Sequence, residues 1–316
     1  MKRLLAPIIV ALLALSARAE PVAFGLFGDT PYSQGEFDNL PDLIAEMDRE
    51  NLAFVVHDGD IKNGSSVCSD EALKDILAVF QKSSTPLVYV PGDNEWTDCH
   101  RKSNGGYDPE ERLAKLRLWF SSSDLALGRR PLKLARQSSD PAFANYRENV
   151  RWEAGGALFV GMNVPGSNNN FNGTKRSGGP VAEFIERGAA NKVWLAQAFA
   201  LARSKKLAGI LIVIQANPGF EEDPAKPSSG YRDFLTQLRE ETQSFAGQVV
   251  LVHGDTHHHQ IDQPMQDPKT KETVKNFTRM ETIGSPFFGW VRGTVDAADS
   301  QVFRFSPRFW KTPQGY

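Results

Sequence analysis

The stretch Thr85–Cys99, TPLVYVPGDNEWTDC, decides how this chain is read. Its Leu87–Val90 run has the length and β-branched content of a buried strand. Pro91-Gly92 stops that strand, and Asp93, Asn94 and Glu95 follow at once. Polar side chains bunched just past the carboxyl end of a buried strand stand where open α/β sheets bind ligands. Three more apolar runs end the same way: VAFGLFGD at Asp29, AFVVHDGD at Asp60 and VVLVHGD at Asp255. Every Gly-Asp dipeptide in the chain closes such a run. Four carboxylates delivered to one sheet edge repel one another unless a cation sits among them. The pattern predicts a metal site.

Around these runs the periodicity predicts helices over Pro41–Asn51 and Asp70–Gln81, with a strand at Leu52–Val56 between them. With the strands ending at Asp29 and Asp93 they form a β-α-β-α-β unit, whose crossover helices imply a parallel sheet. A helix is predicted over Asp108–Ser121, then a loop-like stretch, 122–150, and a strand pair within Trp152–Val164. The helix Pro180–Lys206 contains VWLAQAFALA, apolar all round, which predicts deep burial. Strand Ile210–Ile214, loop Gln215–Pro227, helix Tyr231–Phe245 and strand Val249–Val252 follow. Residues 278–305 hold short alternating runs typical of antiparallel strands. The simplest architecture is one α/β domain over 20–316 with two sheets, and the long loops within 122–180 are expected to act as a lid or insertion.

The first nineteen residues are a separate unit. Lys2 and Arg3 precede an apolar run, Leu4–Leu15, and Ala17-Arg18-Ala19 forms a small-x-small cleavage site. That is the pattern of a cleaved signal peptide, and the run falls short of the roughly 20 apolar residues that span a bilayer. The mature chain is expected to be exported, periplasmic or secreted, with no membrane span. Losing Lys2, Arg3 and Arg18 takes the formal charge from −2 to −5. An acidic chain without a basic run is not expected to bind nucleic acid polymers. The two cysteines, Cys68 and Cys99, each lie shortly past a Gly-Asp turn, after Asp60 and Asp93. In an oxidising compartment they are expected to join as a disulfide between neighbouring site loops. No Gly-x-Ser-x-Gly elbow occurs, which disfavours a serine hydrolase.

Four of the six histidines fall within 253–259, where His257, His258 and His259 follow Asp255 closely. The order of motifs resembles the calcineurin-like metallophosphoesterase superfamily, which includes purple acid phosphatases, from about Phe24 to Asp262. That superfamily carries Asp-x-His, Gly-Asp, Gly-Asn-His-Asp/Glu, a strand-end His and Gly-His-x-His. Here Asp29 fits the first motif, with Pro31 at its His position, and Asp60 fits the bridging aspartate. Asp93 stands for the Asn, Asn94 for the catalytic His and Glu95 for the final acid. Gln215 and Asn217 replace the strand-end His, and Asp255 with His257 replace the last pair.

The resemblance implies an αββα sandwich of two mixed sheets with flanking helices. It also implies two divalent ions among Asp29, Asp60, Asp93, Asp255, His257 and an amide oxygen of Gln215 or Asn217. The second of these ligand sets is all oxygen and suits hard ions, so the candidates run over Mn, Fe, Zn, Mg and Ca. The activity implied is hydrolysis of a small phosphate ester or anhydride by an exported enzyme. The alternative is a non-catalytic metal- or phosphate-binding protein on the same scaffold. Asn94 can hydrogen-bond phosphate but cannot act as an acid; His258, His259, His100 or Glu95 are candidate substitutes, and His258 is expected beside Asn94 as catalytic. Asn94, Glu95 and Asn168 are expected to contact substrate, and His57 is read as a buried histidine behind the ligands. Tyr32 and Trp96 wall the cleft or pack in the core.

Overall fold

A computed structural model describes residues 21–175, 178–221 and 229–310; the expected signal segment lies outside the described residues. The chain opens with β1 (Val22–Phe27), α1 (Gln34–Arg49), β2 (Val55–His57), α2 (Asp70–Phe80) and β3 (Leu87–Tyr89). The three strands are parallel neighbours, as their crossover helices require. Helix α1 starts well before the expected Pro41. The Ser33 side chain accepts the Glu36 N–H, and Glu36 in turn accepts the Tyr32 N–H. This capping-box pairing fixes the start one residue after Ser33 and leaves Pro41 inside the helix, where it forfeits one backbone bond.

Next come α3 (Pro109–Phe120), capped by Asp108, then β4 (Ala135–Arg136), β5 (Val150–Ala154) and β6 (Ala157–Gly161). A short turn, α4 (Gly166–Asn169), leads to α5 (Ala182–Lys205), β7 (Gly209–Val213), α6 (Arg232–Gln243) and β8 (Gln248–His253). The chain closes with β9 (Gln260–Asp262), β10 (Phe277–Glu281), β11 (Gly289–Val295) and β12 (Phe303–Phe309). One sheet runs β12-β11-β1-β2-β3 and the other β4-β5-β6-β7-β8-β10-β9. Strands β11 and β12 are antiparallel, as their alternation predicts, and β10 is so on one side only. It lies parallel to β8 and antiparallel to β9. Its alternating pattern comes from a position one strand in from an edge, which alternation alone cannot distinguish from an antiparallel meander.

Three apolar layers make this an αββα sandwich. Between the sheets Phe24 stacks on Phe54 at 5.5 Å and Trp152 on Phe159 at 5.5 Å, with Phe54 edge-on to Phe159 at 4.9 Å. Such pairs contribute roughly 0.5–1.5 kcal/mol each beyond their burial. Outside the first sheet, Leu43, Ile76, Leu113 and Trp96 form the layer under α1, α2 and α3, so Trp96 belongs to the core. Outside the second, Trp194, Leu195, Phe199 and Leu238 seal α5 and α6. Helix α5 is buried on one face only: Ile185 and Val193 are exposed. Alanines suit either side of a helix, so its all-apolar reading overestimated its burial.

Of the stretch expected as a lid, the first part lies at the wrong end. Leu127 pairs with Leu87, where β3 begins, and the Arg129 N–H bonds Ser83 O, remote from Asp93. Among its described residues the α4 turn reaches the Asp turns, where the Ser167 hydroxyl meets Asp93. The Cys68–Cys99 disulfide is formed, tying the loop after β2 to the loop after β3, with both sulfurs beside the Asn94 carbonyl. Closing a loop of this length contributes ~3–4 kcal/mol in the chain-entropy account. The double variant Cys68→Ser/Cys99→Ser is expected to unfold at lower urea with a stability loss of that size, read from equilibrium denaturation.

Candidate functional site

The four Gly-Asp turns meet where the carboxyl ends of β1, β2 and β3 in one sheet adjoin those of β7 and β8 in the other. The seam is closed by the site residues themselves. Both carboxylate oxygens of Asp29 accept the Asp255 N–H, at 3.2 and 3.1 Å, joining the first sheet to the second. The Gly254 N–H donates to Gln215 O, and the Asp29 N–H to Gly59 O. Glycine precedes all four of these aspartates because there is no room for more, and at two of them the space is taken by another of the four. A Cβ on Gly92 would stand 2.1 Å from Asp60 Oδ1, and one on Gly254 2.1 Å from Asp29 Oδ2. Asp29, Asp60, Asp255 and His257 all hold positive φ, from 47° to 78°. Left-handed backbone at four clustered non-glycine residues is local strain of the kind that gathers at functional sites.

Asp60 lies at the centre. Its Oδ2 accepts the Tyr32 hydroxyl at 2.7 Å and Asn94 Nδ2 at 2.6 Å, while Oδ1 accepts the Asn94 N–H. Asn94 Nδ2 also reaches the Tyr32 hydroxyl at 2.8 Å, and that hydroxyl stands 3.4 Å from Asp29 Oδ1. His257 Nδ1 donates to Ser285 O, which leaves Nε2 facing Asp29 Oδ1 at 3.5 Å. Asp93 Oδ2 accepts from the Ser167 hydroxyl at 2.8 Å, and the same hydroxyl lies 2.7 Å from Asp98 Oδ1. Asp255 Oδ2 is held by the Asn217 N–H.

The electrostatics follow from crowding. Burial, then the charges of Asp93, Glu95, Asp29 and Asp255, push the Asp60 carboxyl well above its ordinary range. Burial and the neighbouring Asp255 do the same to Asp93. Asp255 rises to about 6, from burial first, with Asp29 adding and the Asn217 N–H opposing. Burial alone would lower His257, but its hydrogen bond and charge contact with Asp29 raise it. Tyr32 is raised by burial and by Asp60 and Asp29, so its hydroxyl stays a donor.

Other sequence-predicted residues take different places. Glu95 is completely buried beneath the turns, and its Oε1 accepts from the Asp60 N–H, the Gly92 N–H and the Tyr89 hydroxyl. It shapes the loop and does not face the cleft, contrary to the expected substrate contact. Asn168 Oδ1 accepts the Gly230 N–H, which ties the α4 turn to the approach to α6. Gln215 Oε1 is taken by the Gly166 N–H, and Asn217 Oδ1 by the Gly219 N–H. The His258 ring is exposed and outside this hydrogen-bonded cluster, its backbone N–H held by Glu281. His259 is tied to Glu281 O. His57 is fully buried, donating from Nε2 to Thr30 O, and burial pushes it down to about 3. Tyr32, Ser167 and Asp98 complete the cluster without having been assigned to it. Of the two readings open for Tyr32, cleft wall and core, the structure gives the first, and it adds a hydrogen bond to Asp60.

Does this donor set fit a cation? Asp93 Oδ1 is buried without a hydrogen-bond partner, and a Cβ on Gly166 would lie 2.6 Å from it and 2.7 Å from Asp255 Oδ1. Two carboxylate oxygens thus face one point, and the charge of Asp255 raises Asp93, which is the demand a hard divalent ion satisfies. Among the described residues no three His, Cys, Asp or Glu side chains are already gathered around a single point. The donor chemistry fits, with Tyr32, Asn94 and Ser167 sharing the same oxygens.

No family model matches the chain, and no curated protein does. Solved structures do. A dimetal phosphatase from Danio rerio is similar with a TM-score of 0.54 at 17% identity, over 88% of this chain and 94% of that one. PhoD is similar with a TM-score of 0.52 at 14% identity, over 89% of this chain and 65% of that one. The fold is that of the calcineurin-like metallophosphoesterases.

Because Asp255 binds its proton more tightly when folded, it adds stability that is full below the unfolded pKa near 4 and is lost as pH rises through about 6. Metal-free protein is expected to show this slope, and Asp255→Asn to flatten it by on the order of 2 kcal/mol between pH 4 and 7, measured by urea unfolding at each pH.

Proposed function

We propose that this protein is an exported, metal-dependent phosphoesterase acting on small phosphate esters or anhydrides. The observation that carries the reading is the convergence of Asp29, Asp60, Asp93 and Asp255 from two sheets at one seam, in a fold shared with a dimetal phosphatase. Asp29, Asp60 and His257 would hold one ion; Asp60, Asp93, Asp255 and Gln215 would hold a second, hard one of the Mn, Mg or Ca kind. Such ions, when bound, neutralise phosphate oxygens and ease deprotonation of water. Export is supported by the pattern of residues 1–19 and fits the disulfide. Among the described residues no helix is long and apolar enough to cross a membrane.

The chain's own residues define the rest. Asn94 Nδ2 and the Tyr32 hydroxyl converge on Asp60, so both can turn to a phosphate oxygen as donors. Neither gives up a proton readily: an amide is no acid, and Tyr32 is held high by its surroundings. Leaving groups that need no protonation, anhydrides or aryl esters, match such a site. The second reading, a non-catalytic metal- or phosphate-binding protein, is favoured by one observation: Tyr32 and Asn94 already direct three hydrogen bonds at the central carboxylate.

Purified mature chain, loaded in turn with Mn, Mg, Zn, Fe or Ca, is expected to hydrolyse aryl phosphate mono- or diesters. Asp60→Asn should lower kcat/KM by about 10²–10³-fold. Metal bound in stoichiometric amount with turnover no faster than Asp60→Asn selects the non-catalytic reading. Amino-terminal sequencing of the exported form is expected to begin at Glu20.

A further inference from the structure

Beside the carboxylates lies a polar cavity of about 270 Å³, walled by Thr97, Asp98, His100 and Arg101 on one side and by Ser167, Asn170 and residues 172–175 on the other. Ser167 forms the partition, since its hydroxyl touches Asp93 on the site side and Asp98 on the cavity side. Resting on the phosphoesterase reading, we infer that this cavity is the subsite for the part of the substrate beyond phosphorus, and that it selects a second anionic group, carboxylate or phosphate.

Charge argues for an anion. Asp98 is already matched by Arg101, whose guanidinium lies 2.6 Å from its carboxylate and 3.4 Å from the Ser167 hydroxyl while remaining half exposed. Lys175 is exposed and makes no side-chain hydrogen bond or ion pair among the described residues, so its charge is the one left over. His100 Nδ1 donates to Thr97 O, which leaves its other nitrogen free. Asn172 Oδ1 is buried with no donor, a place for a ligand hydroxyl. Composition argues for a small polar group: apart from His100, none of the lining residues is aliphatic or aromatic. A nucleobase would find nothing to stack on and a lipid nothing to wet. A small phosphate anhydride or aryl phosphate that carries a second anion fits, its distal anion taken by Lys175 and the free edge of Arg101.

Two aryl probes of equal length separate the possibilities, 3-carboxyphenyl phosphate and 3-(hydroxymethyl)phenyl phosphate, whose leaving groups need no protonation and which differ only in carboxylate against hydroxymethyl. Manganese-loaded protein is expected to favour the former in kcat/KM by about tenfold, the worth of one charge-assisted contact. That ratio should collapse toward one in Lys175→Gln and Arg101→Gln and recover in part in Arg101→Lys. Lys175→Gln disturbs no contact of the fold and guards against a misfolded Arg101 variant. Calorimetry supplies a readout without turnover: methylenediphosphonate should bind more tightly than methylphosphonate, and Lys175→Gln should erase the gap. If no ester is hydrolysed yet the phosphonate gap is present and is lost in Lys175→Gln, the subsite stands and the phosphoesterase reading falls. Hydrolysis with no preference for the carboxylate, or a preference unmoved by both charge removals, overturns the subsite alone. Neither hydrolysis nor a gap overturns both.

Discussion

Mutual repulsion among carboxylates confined to one seam is the constraint around which this molecule is arranged. Asp29, Asp60, Asp93 and Asp255 are brought by four strands from two sheets to one place, where burial and like charge both disfavour ionisation of Asp60, Asp93 and Asp255. Packing alone would expel such a group. The chain instead holds it with donors aimed inward: the Asp255 N–H on Asp29, the Asn94 and Tyr32 donors on Asp60, the Ser167 hydroxyl on Asp93. Glycines at 92 and 254 leave the space the neighbouring carboxylate fills.

The supporting structure is correspondingly stiff. Glu95, below the turns, gathers the N–H groups of Asp60 and Gly92, and the disulfide locks the two loops that carry Asp60 and Asp93. On the other sheet, buried Glu281 accepts from Thr256, the His258 N–H and Gln260, and thereby sets the path of the 255–260 turn. That path aims His257 at Asp29 and leaves the His258 ring outside the cluster. A rigid frame around a strained, like-charged centre is what a preorganised cation site requires, because charge stabilisation by fixed groups needs no rearrangement when the ligand arrives. It also accounts for the cavity beside Ser167. The α4 turn must approach Asp93 closely, and its backbone then leaves a polar hollow against Thr97, Asp98, His100 and Arg101.

Much was legible in the chain itself, for identifiable reasons. The βαβαβ opening followed from period and length, since parallel strands need crossover helices. The strand-Gly-Asp grammar located the four carboxylates, because the last residue of a strand and the first of its turn are set by local backbone chemistry. The Cys68–Cys99 pairing followed from neighbouring turns. The start of α1 was misplaced because Pro41 drew more weight than the Ser33–Glu36 capping pair. The pairing of β10 matches its alternation only toward β9 and is parallel toward β8, because alternation reports exposure and not polarity of pairing.

Sequence alone determined which side chains arrive at the carboxyl edge, that they are acidic, and that one histidine, His257, is near enough in the chain to join them. Tertiary structure alone decided how each is turned. Glu95, one residue from Asn94, faces inward because its carboxylate is needed by buried N–H groups, and an unpaired buried N–H costs more than a moved side chain. Tyr32 enters the cluster because α1, capped at Ser33, brings the residue before its cap back over Asp29 and Asp60. Local chemistry sets where a strand ends; only the packing of the two sheets against each other settles what its last residues face.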